Sequence, residues 1–202
     1  MTLDRLRPVA ERLIAPFVSV SIRLGLTANA ISLVAFVLAL AAGATLYVAG
    51  SAPEWYLVAG LLVLLNGLLD VVDGAVARET EAASEAGDLL DHVLDRYADV
   101  VILGGLAVGV GRYGLGLLAI TGVLLTAYMG TQAQAVGLGR IYGGLLGRAD
   151  ILVLVTVTSV LATWVRFDVL GLTIVEWLVA FLAVVSHVTA LQRFLRAWNG
   201  LR

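Results

Sequence analysis

The chain contains six apolar segments, each about as long as a membrane-spanning helix. A helix needs about 20 mostly apolar residues to cross the hydrocarbon core of a bilayer. Backbone polar groups inside a bilayer must be hydrogen-bonded within the protein, so each segment is expected to be helical. We therefore predict an all-α membrane protein, a bundle of six transmembrane helices. The predicted spans cover about 30–49, 55–77, 87–110, 115–136, 150–165 and 170–195.

The residues before the first span predict a further helix at the membrane surface. Charges recur through this stretch and no uninterrupted apolar core follows, which excludes a signal peptide. Apolar residues recur at helical spacing, as in an interfacial amphipathic helix, at Leu3, Leu6, Ala10, Leu13 and Ile14. An ordinary polar leader is the alternative. We expect a single membrane domain over 1–202, with a juxtamembrane amphipathic segment at 1–28 and the helical bundle at 29–197.

Composition agrees with this class and excludes several others. Hydrophobic residues make up 60% of the chain, against ~45–50% in a soluble domain. The absence of cysteine excludes disulfides and thiol chemistry. The net charge is -2 and there is no polybasic patch, so no nucleic-acid partner is expected.

The arginines predict the orientation of the chain. Arginine and lysine concentrate on the cytoplasmic side of membrane proteins, and all 13 basic residues here are arginine. A cytoplasmic N-terminus leaves only Arg112 and Arg166 outside, with Arg96 inside a span. Both termini, and the site proposed below, are then on the cytoplasmic side of the plasma membrane. The arginines placed inside are Arg5, Arg7, Arg12, Arg23, Arg78, Arg140, Arg148, Arg193, Arg196 and Arg202.

Four aspartates lie within the second and third predicted spans, at Asp70, Asp73, Asp91 and Asp95. Ionisable residues are costly in a membrane segment and usually mark function. The members of each pair are three or four residues apart, so each pair shares one helix face. The short connection between the spans brings the two pairs to the same depth. Carboxylate oxygens favour Mg²⁺, Mn²⁺ or Ca²⁺, and four of them suit two ions, as in phosphoryl-transfer sites.

Two residues beside the aspartates have properties that suit a phosphate ligand. Gly74 would let a ligand approach the backbone, and Arg78 would bind a phosphate through its guanidinium. Helix packing for Gly74 and interfacial anchoring for Arg78 are the alternatives.

The complete pattern is Asp-x-x-Asp-Gly-x-x-Ala-Arg-(x)8-Gly-x-x-x-Asp-x-x-x-Asp, from Asp70 to Asp95. It resembles the signature of the CDP-alcohol phosphotransferase family, and the six-span layout is also similar to that family. The resemblance implies a homodimeric enzyme of phospholipid synthesis. Such an enzyme cleaves the pyrophosphate of a CDP-lipid, CDP-diacylglycerol or CDP-archaeol. It transfers the phosphoryl-alcohol part to a small hydroxyl acceptor and releases CMP.

The resemblance also implies roles for the residues of the motif. Asp95 would be the general base, acting together with Asp91 in catalysis. Two Mg²⁺ or Mn²⁺ ions would be held by Asp70, Asp73, Asp91 and Asp95. The CDP moiety would be bound by Gly74, Ala77, Arg78 and Gly87.

The acceptor is less sharply indicated. The sequence Asp95-Arg96-Tyr97-Ala98-Asp99 resembles members that use inositol phosphate, and Arg148 and Arg193 match positions that bind the acceptor's phosphate. However, Ile151 and the stretch 128–134 lack further basic residues that the family has there. Glycerol phosphate, serine or a neutral polyol therefore remain alternative acceptors. From another class, the aspartates would suit a cation or proton transporter.

Three residues near the motif have simpler interpretations. We expect Asn29 to cap the first span rather than to touch the site. His92, on another helical face from Asp91 and Asp95, is expected to pack or hydrogen-bond elsewhere. Asp99 would either pair with Arg96 or hold a water at the metal site.

Overall fold

The computed structural model describes residues 7–139, 141, 143–165 and 168–202, with side chains described from Ile14 onwards. The helices in this part of the chain are α1 (Arg7–Arg23), α2 (Ala28–Ala49), α3 (Trp55–Glu79), α4 (Glu85–Gly109), α5 (Tyr113–Ala135), α6 (Arg148–Trp164) and α7 (Ile174–Gly200). Strands β1 (Asp168–Val169) and β2 (Leu172–Thr173) form an antiparallel hairpin before α7. Of the sequence-based expectations, those on Leu3, Leu6, Arg5, Arg140 and Arg166 fall outside the described residues.

Helices α2 to α7 correspond to the six predicted spans, and the predicted all-α membrane fold is confirmed. By length and composition, α2, α3, α5 and α7 are long and apolar enough to cross a membrane. Helix α4 carries charged residues through its first half, and α6 is only 17 residues long. The count of six spans is therefore approximate by this measure.

The largest differences from the predicted spans lie in α7, which ends at Gly200 instead of about residue 195 and begins later than predicted. The prediction begins this helix near Leu170, whereas the structure begins it at Ile174. The side chain of Thr173 accepts a hydrogen bond from the backbone of Glu176, and the Glu176 carboxylate accepts one from the backbone of Thr173. This capping box satisfies backbone donors that the first turn of a helix leaves unpaired. The sequence Thr173-Ile-Val-Glu176 carried the signal for this boundary.

The bundle packs around α2, which contacts both α3 and α4, while α6 packs on α3 and α5 packs on α7. Large apolar side chains such as Leu46, Ile102 and Leu182 are fully buried between the helices. The crossing of α2 and α4 is close because glycines face each other there. A Cβ atom on Gly105 would meet the carbonyl oxygen of Gly43. Many apolar side chains on the outer faces are exposed, as expected for a surface in contact with lipid.

Helix α1 is joined to the bundle through one face. Ile14 and Val18 are buried against Ile31 of α2 and against Val72 and Val76 of α3. The predicted N-terminal helix is therefore present. Its packing ties it to the part of α3 that carries the aspartates.

Four helix ends meet at one end of the bundle, where α3 finishes and α2, α4 and α6 begin. Thr27, and not Asn29, caps α2, since its side chain accepts a hydrogen bond from the backbone of Ala30. The expectation that Asn29 is the cap is wrong, because the helix begins at Ala28, two residues earlier than the predicted start at residue 30. Ser84 caps α4 by accepting from the backbone of Gly87. The short connection between α3 and α4 therefore places their aspartates side by side.

Candidate active site

Three of the four predicted metal ligands converge at this end of the bundle. Oxygen atoms of Asp70, Asp91 and Asp95 all lie within 4.8 Å of one another. Asp70 comes from α3 and the other two from successive turns of α4. The four-residue spacing on α4, and the antiparallel directions of α3 and α4, which both pack on α2, thus produce the predicted meeting of these carboxylates.

Asp73, the fourth predicted ligand, lies beside this triad and is fixed separately. Its side chain is 4% exposed, and its Oδ2 accepts a hydrogen bond from the hydroxyl of Ser32 at 2.6 Å. A small cavity of about 10 Å³ is lined by all four motif aspartates, together with Ser32 and Asn66. Asp73 therefore lines the same cavity as Asp70, Asp91 and Asp95, although it is not a member of that close cluster of oxygens.

Arg148, at the start of α6, inserts its guanidinium among the carboxylates. Its Nη1 lies 2.7 Å from Asp70 Oδ1, and its Nη2 lies 2.9 Å from Asp95 Oδ1. Its Nε donates to Asp99 Oδ1 at 3.1 Å. One arginine therefore links α3, α4 and α6 and neutralises part of the negative charge. The prediction that Arg148 binds an acceptor's phosphate remains a prediction.

Asp99 pairs with Arg96, which is one of its two expected roles, and also with Arg148. The distance from Arg96 Nη1 to Asp99 Oδ2 is 3.1 Å, and Asp99 is 4% exposed. His92 lies near Asp88, which is one helical turn earlier on the same face of α4, and near the adjacent Asp91. Its Nδ1 is 3.6 Å from Asp88 Oδ1 and 3.8 Å from Asp91 Oδ2.

A cleft of about 200 Å³ opens beside Asp73 and Asp91, between the start of α2 and the connection from α3 to α4. Asn29 also lines it, which gives this residue a place at the site instead of its expected capping role. Small side chains keep the cleft open and Arg78 adds a positive charge. All four residues predicted to bind the CDP moiety line it, namely Gly74, Ala77, Arg78 and Gly87.

Arg193, the second predicted acceptor-binding residue, is buried where α7 contacts the loop that precedes α6. Its Nε donates to the carbonyl of Gly143 at 2.8 Å, and its Nη1 donates to the carbonyl of Thr126 at 2.7 Å. The same loop leads into Arg148. Arg193 is thus connected to the aspartates through that loop, while Ile151, where a second basic residue was expected, is buried and apolar.

Two polar residues of the site were not singled out from the sequence. Ser32 binds Asp73 from α2, and Asn66 lies one helical turn before Asp70 on the same face of α3. The spacing of Asn66 within an apolar span was a usable signal. The position of Ser32 along the chain carried no such signal, because its contact with Asp73 depends on how α2 packs on α3.

The donor set suits a hard divalent cation. Arg148 contacts Oδ1 of Asp70 and Oδ1 of Asp95, and Arg96 Nη2 lies 3.6 Å from the other oxygen of Asp95. An ionised carboxylate has about four lone-pair sites, so these contacts leave acceptor positions for another ligand. Among the described residues of the site, Arg96 and Arg148 pair with Asp70, Asp95 and Asp99, whereas Asp73 and Asp91 add two further carboxylates. The excess negative charge, carried on oxygen alone, matches the preference of Mg²⁺ and Mn²⁺.

Comparison with known proteins agrees with this geometry. A family model described as CDP-alcohol phosphatidyltransferase matches residues 25–189, which include every residue of the motif. The chain belongs to the CDP-alcohol phosphatidyltransferase family. It is accordingly a membrane transferase of phospholipid biosynthesis, and the transporter alternative finds no support.

The relatives of this CDP-alcohol phosphatidyltransferase include synthases of inositol phosphate lipids. It is 32% identical to archaetidylinositol phosphate synthase of Methanothermobacter thermautotrophicus, over 99% of this chain and 96% of that protein. It is 29% identical to phosphatidylinositol phosphate synthase of Streptomyces avermitilis, over 93% of this chain and 78% of that protein.

A solved structure shares the fold of this CDP-alcohol phosphatidyltransferase. It is the crystal structure of Mycobacterium tuberculosis phosphatidylinositol phosphate synthase with CDP-DAG bound. The TM-score is 0.76 at 24% identity, covering 93% of this chain and 94% of that one. A second crystal structure of that synthase, in complex with manganese and citrate, gives the same TM-score at 24% identity, covering 91% and 88%.

Proposed function

We propose that this enzyme transfers the phosphoryl-lipid group of a CDP-lipid to inositol phosphate and releases CMP. The observation that carries the proposal is the position of the aspartate triad between the cleft and Arg148. The inositol phosphate synthases among the relatives support the choice of acceptor.

The cleft beside Asp73 and Asp91 would hold the nucleotide. Gly74, Ala77 and Gly87 leave room for a ring and a sugar against the backbone. Arg78 would pair with a phosphate of the donor through its guanidinium. The apolar outer faces of the helices would contact the lipid chains of either CDP-diacylglycerol or CDP-archaeol.

Asp70, Asp73, Asp91 and Asp95 would hold two divalent cations, Mg²⁺ or Mn²⁺. When bound, these would supply the positive charge that stabilises the pyrophosphate as it is cleaved. The protein contributes the orientation of these carboxylates. Ser32 fixes Asp73, and Arg148 fixes one oxygen each of Asp70 and Asp95.

Asp95 would take the proton from the attacking hydroxyl, with Asp91 acting beside it. A general base must lie within about 2.6–3.2 Å of the oxygen that it deprotonates. Asp95 is 19% exposed, so a small acceptor can approach its side chain while most bulk water is kept away. The bond from the acceptor oxygen to the lipid-bearing phosphorus forms as the bond from that phosphorus to CMP breaks.

Arg148 and Arg193 would bind the phosphate of the acceptor. One loop joins the two, since Arg148 directly follows residues 143–147 in the chain and Arg193 donates to Gly143 in that loop. Two guanidiniums are sufficient to hold a phosphate through charge-assisted hydrogen bonds.

The decisive experiment is a screen of acceptors with the purified enzyme and Mg²⁺ or Mn²⁺. Each of the two CDP-lipids is offered with inositol phosphate, glycerol phosphate, serine, inositol or glycerol, and CMP release is measured. We expect CMP release with inositol phosphate. Release with a different acceptor only would overturn the choice of acceptor, and no release with any acceptor from folded protein would overturn the transfer reaction.

The domain, the orientation and the assembly complete the proposal. The whole chain would act as one membrane domain in the plasma membrane, with its termini and its active site facing the cytoplasm. The arginine distribution supports that orientation. The enzyme would act as a homodimer, which chemical cross-linking in membranes would detect as a species of twice the chain mass.

A further inference from the structure

Asn66 is a buried polar residue that lies outside the signature motif and yet faces the aspartates. It is 2% exposed and lies in the middle of α3, four residues before Asp70. Its Nδ2 donates to the carbonyl of Ala35 in α2 at 2.9 Å. Its Oδ1 is buried and has no hydrogen-bond partner among the described residues. Leaving an acceptor buried and unpaired is costly, typically by about 1–3 kcal/mol, so this oxygen needs a partner in the working enzyme.

The space in front of Asn66 indicates what that partner is. Asn66 lines the cavity of about 10 Å³ that is also lined by Asp70, Asp73, Asp91 and Asp95. A buried water needs roughly 10–15 Å³ of probe-occupied volume and two to four polar partners. The cavity therefore has about the volume of one water molecule. A carboxylate accepts hydrogen bonds and does not donate them, so a hydrogen-bonded connection between Oδ1 and these aspartates requires a molecule with protons of its own.

We propose that Asn66 is a positioning residue for the metal site, and this inference rests on the function proposed above. Its side-chain oxygen accepts a hydrogen bond from a water molecule in the cavity, and that water donates its other proton to an aspartate of the motif. The water thereby restrains the orientation of a metal-ligating carboxylate. Asn66 does so as a neutral residue, without adding charge to a cluster that is already strongly negative.

The size of the expected effect follows from the behaviour of residues that orient metal ligands. Removing such a residue typically weakens metal affinity or activity by 10–100-fold. Asn66→Leu keeps a similar volume and removes both hydrogen bonds. We expect it to raise the Kd for Mn²⁺ by about tenfold, measured by titrating detergent-solubilised protein with Mn²⁺ and recording the electron paramagnetic resonance signal of the free ion.

A second variant and a matched control separate positioning from simple structural support. Asn66→Ser removes the amide without adding apolar volume, and its shorter side chain is also expected to weaken Mn²⁺ binding. Ser159→Ala provides the control, because Ser159 is fully buried in α6 and its hydroxyl has no hydrogen-bond partner within the described part of the chain, yet it does not line the aspartate cavity. This control is expected to leave the Kd unchanged.

The unfolding temperature in EDTA is recorded for every variant, because loss of the bond to Ala35 alone would lower it. A lower unfolding temperature with unchanged Mn²⁺ affinity in both Asn66 variants would overturn the proposal and leave Asn66 a structural tie between α2 and α3. Failure of the wild-type protein to bind Mn²⁺ would instead overturn the proposed metal site. The two failures are therefore distinguishable without a turnover assay.

Discussion

Arg148 shows which contacts of the site follow from the sequence and which do not. The convergence of Asp70, Asp91 and Asp95 was predictable, because helix periodicity and a short connection between α3 and α4 are local properties. The insertion of the Arg148 side chain among these carboxylates was not predictable. Arg148 is far from them along the chain, 49 residues from Asp99 for example, and its contacts depend on how α6 packs. The role of Ser32 on Asp73 was hidden for the same reason.

Substitution of Asp95 gives the most direct test of the proposed general-base mechanism. Asp95→Asn preserves the size of the side chain and removes its ability to accept a proton. We expect turnover to fall by about 10²–10⁴-fold, the usual contribution of a general base. Binding of the CDP-lipid should remain within a few-fold of wild type. CMP release and equilibrium binding of the CDP-lipid are the two measurements.

The control for this variant is Asp168→Asn, which changes an exposed carboxylate in β1 and should alter neither quantity. Parallel loss of binding and turnover in Asp95→Asn would count against a general-base role. Asp95 would then be assigned to holding the donor, through the cations, rather than to proton transfer.

At the scale of elements, α2 packs on both helices that carry the aspartates, and its close crossing with α4 includes Gly43 and Gly105. Apolar periodicity predicted α2 and α4 to within a few residues, but it did not predict which of their glycines lie in the contact. Gly104 and Gly105 are adjacent in α4, yet a Cβ on Gly105 would meet the backbone of Gly43 whereas one on Gly104 would meet nothing within 4 Å. The difference arises from the rotation of α4, which packing decides.

This pair of glycines offers a matched test of the crossing. Gly105→Ala should lower the unfolding temperature in detergent, because forcing an atom into a packed contact costs about 1–3 kcal/mol. Gly104→Ala should leave it unchanged or raise it, since alanine is favoured over glycine in a helix by about 1 kcal/mol. Equal effects of the two substitutions would show that α2 and α4 do not cross at Gly105.

At the scale of the whole molecule, the two ends of the bundle carry different charged groups. The aspartates, Arg148 and Arg193 lie at one end, whereas the opposite end holds the hairpin and the ion pair of Arg112 with Glu176, with Nε 2.6 Å from Oε1. Neither end reveals from its contacts alone which side of the membrane it faces. The prediction of a cytoplasmic active site therefore depends on the arginine distribution along the chain.

The lack of cysteine in the natural sequence makes that orientation directly measurable. Leu170, at the turn of the hairpin, is 86% exposed, and Leu201, just beyond α7, is 57% exposed. In intact cells, a membrane-impermeant maleimide should label Leu170→Cys and not Leu201→Cys, whereas both should be labelled after permeabilisation. The reverse pattern would place the aspartates outside the cell, where a cytoplasmic pool of CDP-linked donor could not reach them.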